Sequence, residues 1–442
     1  MRIALLTFCL LGSFALHAQT TPPTILCGNE VFSKIVREQY PALNDAFQAT
    51  FDEAHAPHAD DRSPLTVNVV VHVVWKAPEE NLDDSIILNQ IAILNADYNR
   101  LNADTGNLRA VFQPVAGKPE IHFNLAEIVR VQTTELFEVS LLGTNLLSEL
   151  KHTNQGGSDA WNTEQYLNIW VCKIQPLSFG GIDLGQILGF AFPPNNYDNW
   201  PANSGAPAPE EDGVVIDFRA FGSNNPNLIA IPGGTGNLLI NGRTPVHEVG
   251  HYFGLRHIWG DGGTFGPNDC AQSDGIDDTP FASSQSSFDC DTTKNSCTNV
   301  EAYYNADVPD LVENYMDYSS EACMNMFTQG QADVIRDVLQ GPRSGLLAPV
   351  ATHDAAGRQP NFALSPNPAP GWFALTFELP ETATATLRLL NTAGQSIATL
   401  ASAAYPAGVQ RIEFDASGWA PGMYFVEMRT EHGAGVRKLV LR

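Results

Sequence analysis

At 442 residues the chain is long enough for two or three domains and at least one large core. Asp plus Glu number 49 against 24 Lys plus Arg, a formal net charge of −25, which argues against nucleic acid or an anionic membrane as partner. Such a balance also suits basic substrates and calcium, although a solvated acidic surface is the simpler cause. The N-terminus reads as an export signal at 1–18: Arg2, an apolar run at 3–16 broken by Thr7 and Ser13, then Ala18 as the small residue before the cut. No other stretch approaches the roughly 18 to 20 apolar residues that span a bilayer, so no transmembrane segment is expected in the mature protein.

A prosegment is assigned to 19–61, ending in a loose polar stretch at 55–63. The run Leu-Thr-Val-Asn-Val-Val-Val-His-Val-Val-Trp at 65–75 is too apolar for an exposed strand and reads as a central one. Ser85 is placed as the cap of a helix whose Ile87, Ile91, Leu94 and Tyr98 share one face. Ile121, Phe123 and Leu125 alternate with polar neighbours, giving a half-buried strand, and 167–173 and 213–218 supply two more. The Pro-, Gly- and Asn-rich span at 192–209 between these last two reads as loop.

The densest chemistry is His-Glu-Val-Gly-His-Tyr-Phe-Gly-Leu-Arg-His at 247–257. On a helix His247 and His251 project from one face with Glu248 beside them, so two imidazoles reach one zinc ion. Gly254 takes positive φ cheaply, ends the helix and brings His257 round as the third ligand. Three neutral imidazoles leave a fourth position open to water, the arrangement of a catalytic rather than a structural zinc. A bare His-Glu-x-x-His arises by chance on amphipathic helices; the glycine and third histidine in register make chance a minor alternative. Zinc acidifies a water, and Glu248 is placed to take its proton and pass it to a leaving amine.

Downstream stands Glu-Asn-Tyr-Met-Asp-Tyr-Ser at 313–319. Met316 alone would pass for core packing. After the zinc motif, it resembles the methionine turn of the metzincin clan as the pappalysin family writes it, with Met316 under the metal and Tyr318 beside it. That resemblance implies a zinc metalloendopeptidase acting on proteins and peptides, with an α/β domain at 62–343. A twisted mixed sheet, a backing helix and the zinc-site helix form its upper half, over an irregular lower subdomain. Substrate is then expected to lie extended along an edge strand.

Four cysteines, Cys270, Cys290, Cys297 and Cys323, surround this region, and by themselves they allow three pairings. The resemblance implies Cys270 with Cys297 and Cys290 with Cys323. Cys172, in a strand-like run, reads as a buried thiol. Cys27 precedes everything that looks like the folded enzyme, and three fates stay open for it: an incidental thiol, a disulfide with Cys172, or a thiolate on the zinc that silences a zymogen. The pappalysin-like bacterial peptidases that carry a prosegment cysteine point to the last.

The loop at 269–280, dense in Asp, Gly and Thr, departs from the EF-hand pattern. In similar proteins it holds calcium, which implies Asp274 and Thr279 first, with Asp269 and Asp277 in reserve; a turn-rich loop stapled by disulfides is the plainer reading. Glu321 stands at the position where some bacterial relatives that cut before Arg or Lys carry a pocket aspartate, so cleavage on the amino side of a basic residue is expected, including self-activation between Asp61 and Arg62. Thr-Gln-Gly-Gln at 328–331 is a capping box that opens a helix to Leu339, stopped by Gly341 and Pro342.

A linker is placed at 344–360. From 361 to 442, short alternating strands around Phe373, Leu387, Ile412 and Val426, punctuated by turn residues, make an immunoglobulin-like all-β sandwich. From Ser365-Pro-Asn-Pro to the basic end Arg437-Lys-Leu-Val-Leu-Arg442, it resembles the C-terminal sorting domain of the type IX secretion system. That implies a secreted or cell-surface protein whose partners include that machinery. The competing class is an inactive surface adhesin or glycan-binding protein on a peptidase fold, for which Trp372 and Trp419 are the candidate platform; intact Glu248 and histidines disfavour it.

Overall fold

The apolar run at 65–75 forms a central strand, as its pattern predicts. The chain is seen in a computed structural model, which describes residues 24–29, 63–139, 147–179, 182–194, 205–231, 235–260, 270, 273–347, 362–379, 382–391, 396–430 and 433–442. The export signal, most of the prosegment with Asp61 and Arg62, Asp269 and most of the linker lie outside them. Two units divide the chain, 1–348 and 349–442. No helix among the described residues is long and apolar enough to cross a membrane.

In the first unit the strands are β1 (Thr24–Cys27), β2 (Leu65–Trp75), β3 (Ile121–Gln132), β4 (Leu167–Cys172), β5 (Leu177–Phe179), β6 (Ile182–Ala191) and β7 (Val214–Asp217). They form one sheet in the order β1-β6-β7-β4-β2-β3, with β5 also paired to β6. β2 lies between β3 and β4, parallel to both, and β4 is parallel to β7. This accounts for the unbroken apolar run of β2, since a parallel strand is covered on both faces. Its one imidazole, His72, is fully buried, bonded to Ser158 Oγ at 2.8 Å and Asn168 Oδ1 at 3.0 Å, and burial pushes its pKa down to about 4. β6 runs antiparallel to β7, and β1 lies parallel to β6.

Among the described residues three α-helices accompany the sheet: α1 (Asp84–Asp97), α2 (Arg243–Tyr252) and α3 (Gln329–Gln340). α1 buries Ile87, Ile91 and Leu94 with Tyr98 just beyond, as their spacing predicts. Its cap is Asp83 rather than Ser85, which sits inside the first turn. α3 begins at the capping box: Gln331 N–H donates to Thr328 Oγ1 at 3.1 Å, and Thr328 N–H to Gln331 Oε1 at 3.0 Å. Sequence reading missed β1, β5 and β6. Glycines at 185 and 189 break the alternation of β6, and β1 has only four residues, so neither carries a clear period.

The second unit comprises β8 (Phe362–Ser365), β9 (Trp372–Leu379), β10 (Ala383–Leu390), β11 (Ser396–Tyr405), β12 (Gly408–Asp415), β13 (Gly422–Thr430) and β14 (Gly433–Leu441). A four-stranded sheet, β11-β10-β13-β14, and a three-stranded one, β12-β9-β8, enclose Phe373, Leu375, Leu387, Leu389, Val426 and Met428. That is the immunoglobulin-like sandwich expected. Trp372 is exposed, whereas Trp419 packs against the core.

Candidate active site

Helix α2 starts without a side-chain cap of its own: its N-cap is Gly242, in a left-handed conformation. A carboxylate from far along the chain does that work. Glu321 Oε2 accepts from the N–H groups of Asn241 at 2.5 Å and Arg243 at 3.0 Å, and Oε1 from Thr244 N–H at 2.9 Å and Thr244 Oγ1 at 2.7 Å. A carboxylate offers about four acceptor positions, so Glu321 is fully engaged, as a negative charge at a helix N-terminus should be. The Arg243 side chain points elsewhere, pairing with Asp97 at 2.7 Å and Asp104 at 3.1 Å.

Along α2, His247 and His251 share a face, and Gly254 at φ +89° reverses the chain so that His257 joins them. His251 Nε2 lies 3.1 Å from both His247 Nε2 and His257 Nε2. His247 Nδ1 donates to Tyr315 O at 2.7 Å and His251 Nδ1 to Leu255 O at 2.8 Å. With the protons on Nδ1, the Nε2 lone pairs converge, the tautomer a metal-binding imidazole needs. Burial and the neighbouring His251 hold His247 well below its usual pKa, so it is neutral. Zinc–nitrogen bonds of 2.0–2.1 Å in a tetrahedron set ligand atoms about 3.3 Å apart, so these three imidazoles fit a zinc ion. His257 is further steadied by stacking on Trp259, 4.4 Å between ring centroids.

Beneath them Met316 is fully buried, and Asn314 Oδ1 accepts the Met316 N–H at 2.9 Å to shape the turn. A Cβ at Gly250 would stand 2.6 Å from Met316 Sδ, so this glycine of the motif lets the turn close under the helix. Tyr318 packs its ring on His257 and His247. Glu248 is 1 % exposed, and burial pushes its carboxyl up to about 8.

A residue the sequence did not flag positions that carboxylate. Gly189 on β6 faces Glu248: a Cβ there would lie 2.8 Å from Glu248 Cγ and 2.9 Å from Val215 O. Backbone cannot yield as a side chain does. Gly189→Ala is therefore expected to destabilise the fold by about 1–3 kcal/mol, the usual cost of overpacking, read as a lower denaturation midpoint, and to lower kcat by displacing Glu248.

β1 brings Cys27 to the same place. Its Sγ and one ring nitrogen from each of His247, His251 and His257 all lie within 4.8 Å of one another. The thiol also sits 3.4 Å from Glu248 Oε2, and Cys27 N–H donates to Tyr318 Oη at 2.9 Å. Two residues on, Asn29 Oδ1 accepts the Ala191 N–H of β6 at 3.0 Å. Gly28 is required here, since a Cβ would stand 2.7 Å from Phe190 Cβ. Of the fates open to Cys27, the disulfide is excluded: Cys27 and Cys172 are both buried and neither is disulfide-bonded. Cys270 is bonded to Cys297 and Cys290 to Cys323, the pairing implied by the family.

Of the loop residues named for calcium, Asp274 and Thr279 are buried and Asp277 is exposed; Asp278, not named, is buried instead and accepts the Gly330 N–H at 2.9 Å. Burial pushes the Asp274 carboxyl well above its usual range. Glu321 lines a cavity beside Glu248 and His247, together with Leu188, Leu238, Ile240 and Met324.

The comparisons with known proteins agree with this geometry. The family model described as pregnancy-associated plasma protein-A, a peptidase family, matches residues 241–340, and one described as a secretion system C-terminal sorting domain matches 363–442. Extracellular metalloprotease 1 of Coccidioides posadasii is 30% identical over 301 residues, covering 67% of this chain and 84% of that protein. An extracellular metalloprotease of Uncinocarpus reesii is 29% identical over 324 residues, 72% of this chain and 90% of that one. Among solved structures, mature mirolysin of Tannerella forsythia with a cleaved peptide has 33% identity and a TM-score of 0.51, covering 65% of this chain and 96% of that chain. A promirolysin mutant of the same organism has 31% identity and a TM-score of 0.55, covering 73% and 97%. With three imidazoles, a glutamate and a methionine turn gathered in one cleft, and relatives of this kind along most of their length, the chain belongs to the pappalysin family: it is a secreted zinc metalloendopeptidase with a C-terminal sorting domain of the type IX secretion system.

Proposed function

We propose that this peptidase is made as a latent precursor in which Cys27 closes the metal site, with His247, His251 and His257 as zinc ligands and Glu248 as general base and acid. The observation that carries the proposal is the meeting of the Cys27 thiol with the three imidazoles. A thiol must lose its proton to bind a metal, and Glu248 Oε2, 3.4 Å away, is the acceptor at hand. Strand β1 supports the same reading: paired along β6, it occupies a sheet edge on which an extended substrate would lay its main chain.

With the prosegment gone, Cys27 no longer holds Tyr318 Oη or Glu248, and both face the cleft. A zinc ion bound there supplies Lewis-acid polarisation and an acidified water near neutral pH. Glu248 would hold the proton of the attacking water and pass it to the leaving amine. Tyr318 Oη would donate to the charge developing on the carbonyl oxygen. The 274–279 loop joins the proposal as a calcium-holding element, on the oxygen donors of buried Asp274 and Thr279. The sandwich is proposed to deliver the enzyme to the type IX machinery for export.

Cleavage on the amino side of Arg or Lys is the preference that the charge of Glu321, taken alone, would give. The negative charge of Glu321 in the cavity wall supports it; the engagement of all four acceptor positions by α2 opposes it. Zinc content and casein cleavage of the matured protein test the whole reading. About one zinc per chain is expected, with cleavage abolished by a chelator and restored by zinc. A chain that binds no zinc and cuts nothing would be the inactive adhesin instead.

A further inference from the structure

The cavity beside Glu248, which Cys27 of the prosegment also lines, measures about 230 Å³. Since each water claims about 30 Å³ of liquid, the space equals nearly eight waters, the scale of one large side chain. Its position decides which side chain. Glu248 must reach the amine that leaves, so a pocket lined by Glu248 receives the residue whose amine that is, the first after the cut.

The two carboxylates that share the wall with Glu248 are already engaged. Glu321 gives both lone pairs of each carboxylate oxygen to donors at the start of α2. Asp317, also in the wall, accepts from Ser286 N–H at 3.0 Å and Ser286 Oγ at 2.5 Å. The larger side chains that remain are apolar, among them Leu188, Leu238, Ile240 and Met324, beside uncharged polar groups such as Asn237 and Ser320. Leu239, also in the wall, is 53 % exposed. A Lys or Arg entering such a site leaves water without gaining a carboxylate oxygen in return, whereas an apolar side chain gains from every contact.

We infer that this pocket selects an uncharged, apolar residue immediately after the cut, and that Glu321 is a positioning residue for the zinc helix rather than the pocket's charge. The inference rests on the peptidase reading of the cleft. It departs from the basic preference expected of Glu321 in the sequence, because that expectation counted the charge and not the donors that consume it.

Cut-site profiling of a denatured proteome with matured protein tests it, alongside Glu321→Gln and Leu239→Asp. Leu, Ile, Met and Phe are expected after the cut, preferred over Arg and Lys by about tenfold or more, the scale on which an apolar site refuses an unpaired polar group. Glu321→Gln is expected to keep that profile while kcat falls and KM holds, since the helix loses acceptors and the pocket loses no contact. Leu239→Asp, at an exposed position of the wall, is expected to raise the share of basic residues by giving the pocket an unengaged carboxylate. Enrichment of Arg and Lys by the wild type, or a profile reshaped by Glu321→Gln, would overturn the inference and leave the peptidase intact. An unchanged profile in Leu239→Asp would show that this cavity is not the pocket. Absence of any chelator-sensitive cut would instead sink the peptidase reading and the inference with it.

Discussion

Replacing Glu248 with alanine is expected to lower kcat on a peptide substrate by about 10²- to 10⁴-fold, the range that positioned acid–base groups contribute, while zinc content stays unchanged. The two readouts separate because the three imidazoles take their orientation from other atoms. Tyr315 O and Leu255 O hold His247 and His251, and Trp259 holds His257. None of these contacts involves the Glu248 side chain. Its surroundings are instead those of a proton carrier: buried against Gly189, with a carboxyl raised to about 8 by loss of water. A variant that loses metal along with activity would mean that the carboxylate shapes the site rather than moves protons in it. Steady-state kinetics on matured protein, with zinc measured on the same sample, decide between the two.

Cys27→Ala in the unprocessed precursor is expected to raise peptide cleavage by about ten- to a hundredfold over the wild-type precursor. At 1.4 kcal/mol per factor of ten, the thiol would then account for about 1.4–2.8 kcal/mol of latency. The rise is expected to stop short of full activity because the thiol is one of two restraints. β1 still pairs along β6, and Asn29 still takes the Ala191 N–H, so main chain continues to fill the cleft after the sulfur is gone. Removal of 19–61 by limited proteolysis should supply the remainder. If Cys27→Ala were as silent as the wild-type precursor while the cleaved form was active, strand occupancy alone would maintain latency and the sulfur would be incidental.

Both expectations depend on contacts between distant parts of the chain, and this separates what was readable beforehand from what was not. The zinc helix was readable because its chemistry is local: His247 and His251 are one helical turn apart, and Gly254 follows within a turn. The capping box of α3 was readable for the same reason, since Thr328 and Gln331 bond each other across three residues. The apolar run of β2 announced a strand covered on both faces, and the alternation in the sandwich announced its two sheets. β6 was not readable, although it borders the cleft. Its glycines erase the period, and one of them, Gly189, is present because it must admit Glu248.

By itself the sequence determined the metal-binding chemistry, the family, the pairing of four cysteines through that family and the presence of a separate C-terminal sandwich. Each of these is written in short-range spacing or in a motif long enough to exclude chance. Only the tertiary structure decided that Cys27 lies with the imidazoles, with its backbone N–H bonded to Tyr318 across 291 residues, and that Glu321 serves the zinc helix from 78 residues beyond Arg243. Nothing local marks such partners. A thiol or a carboxylate has the same character in any stretch of chain, and what it does is set by the donors and acceptors that packing brings within 3 or 4 Å of it.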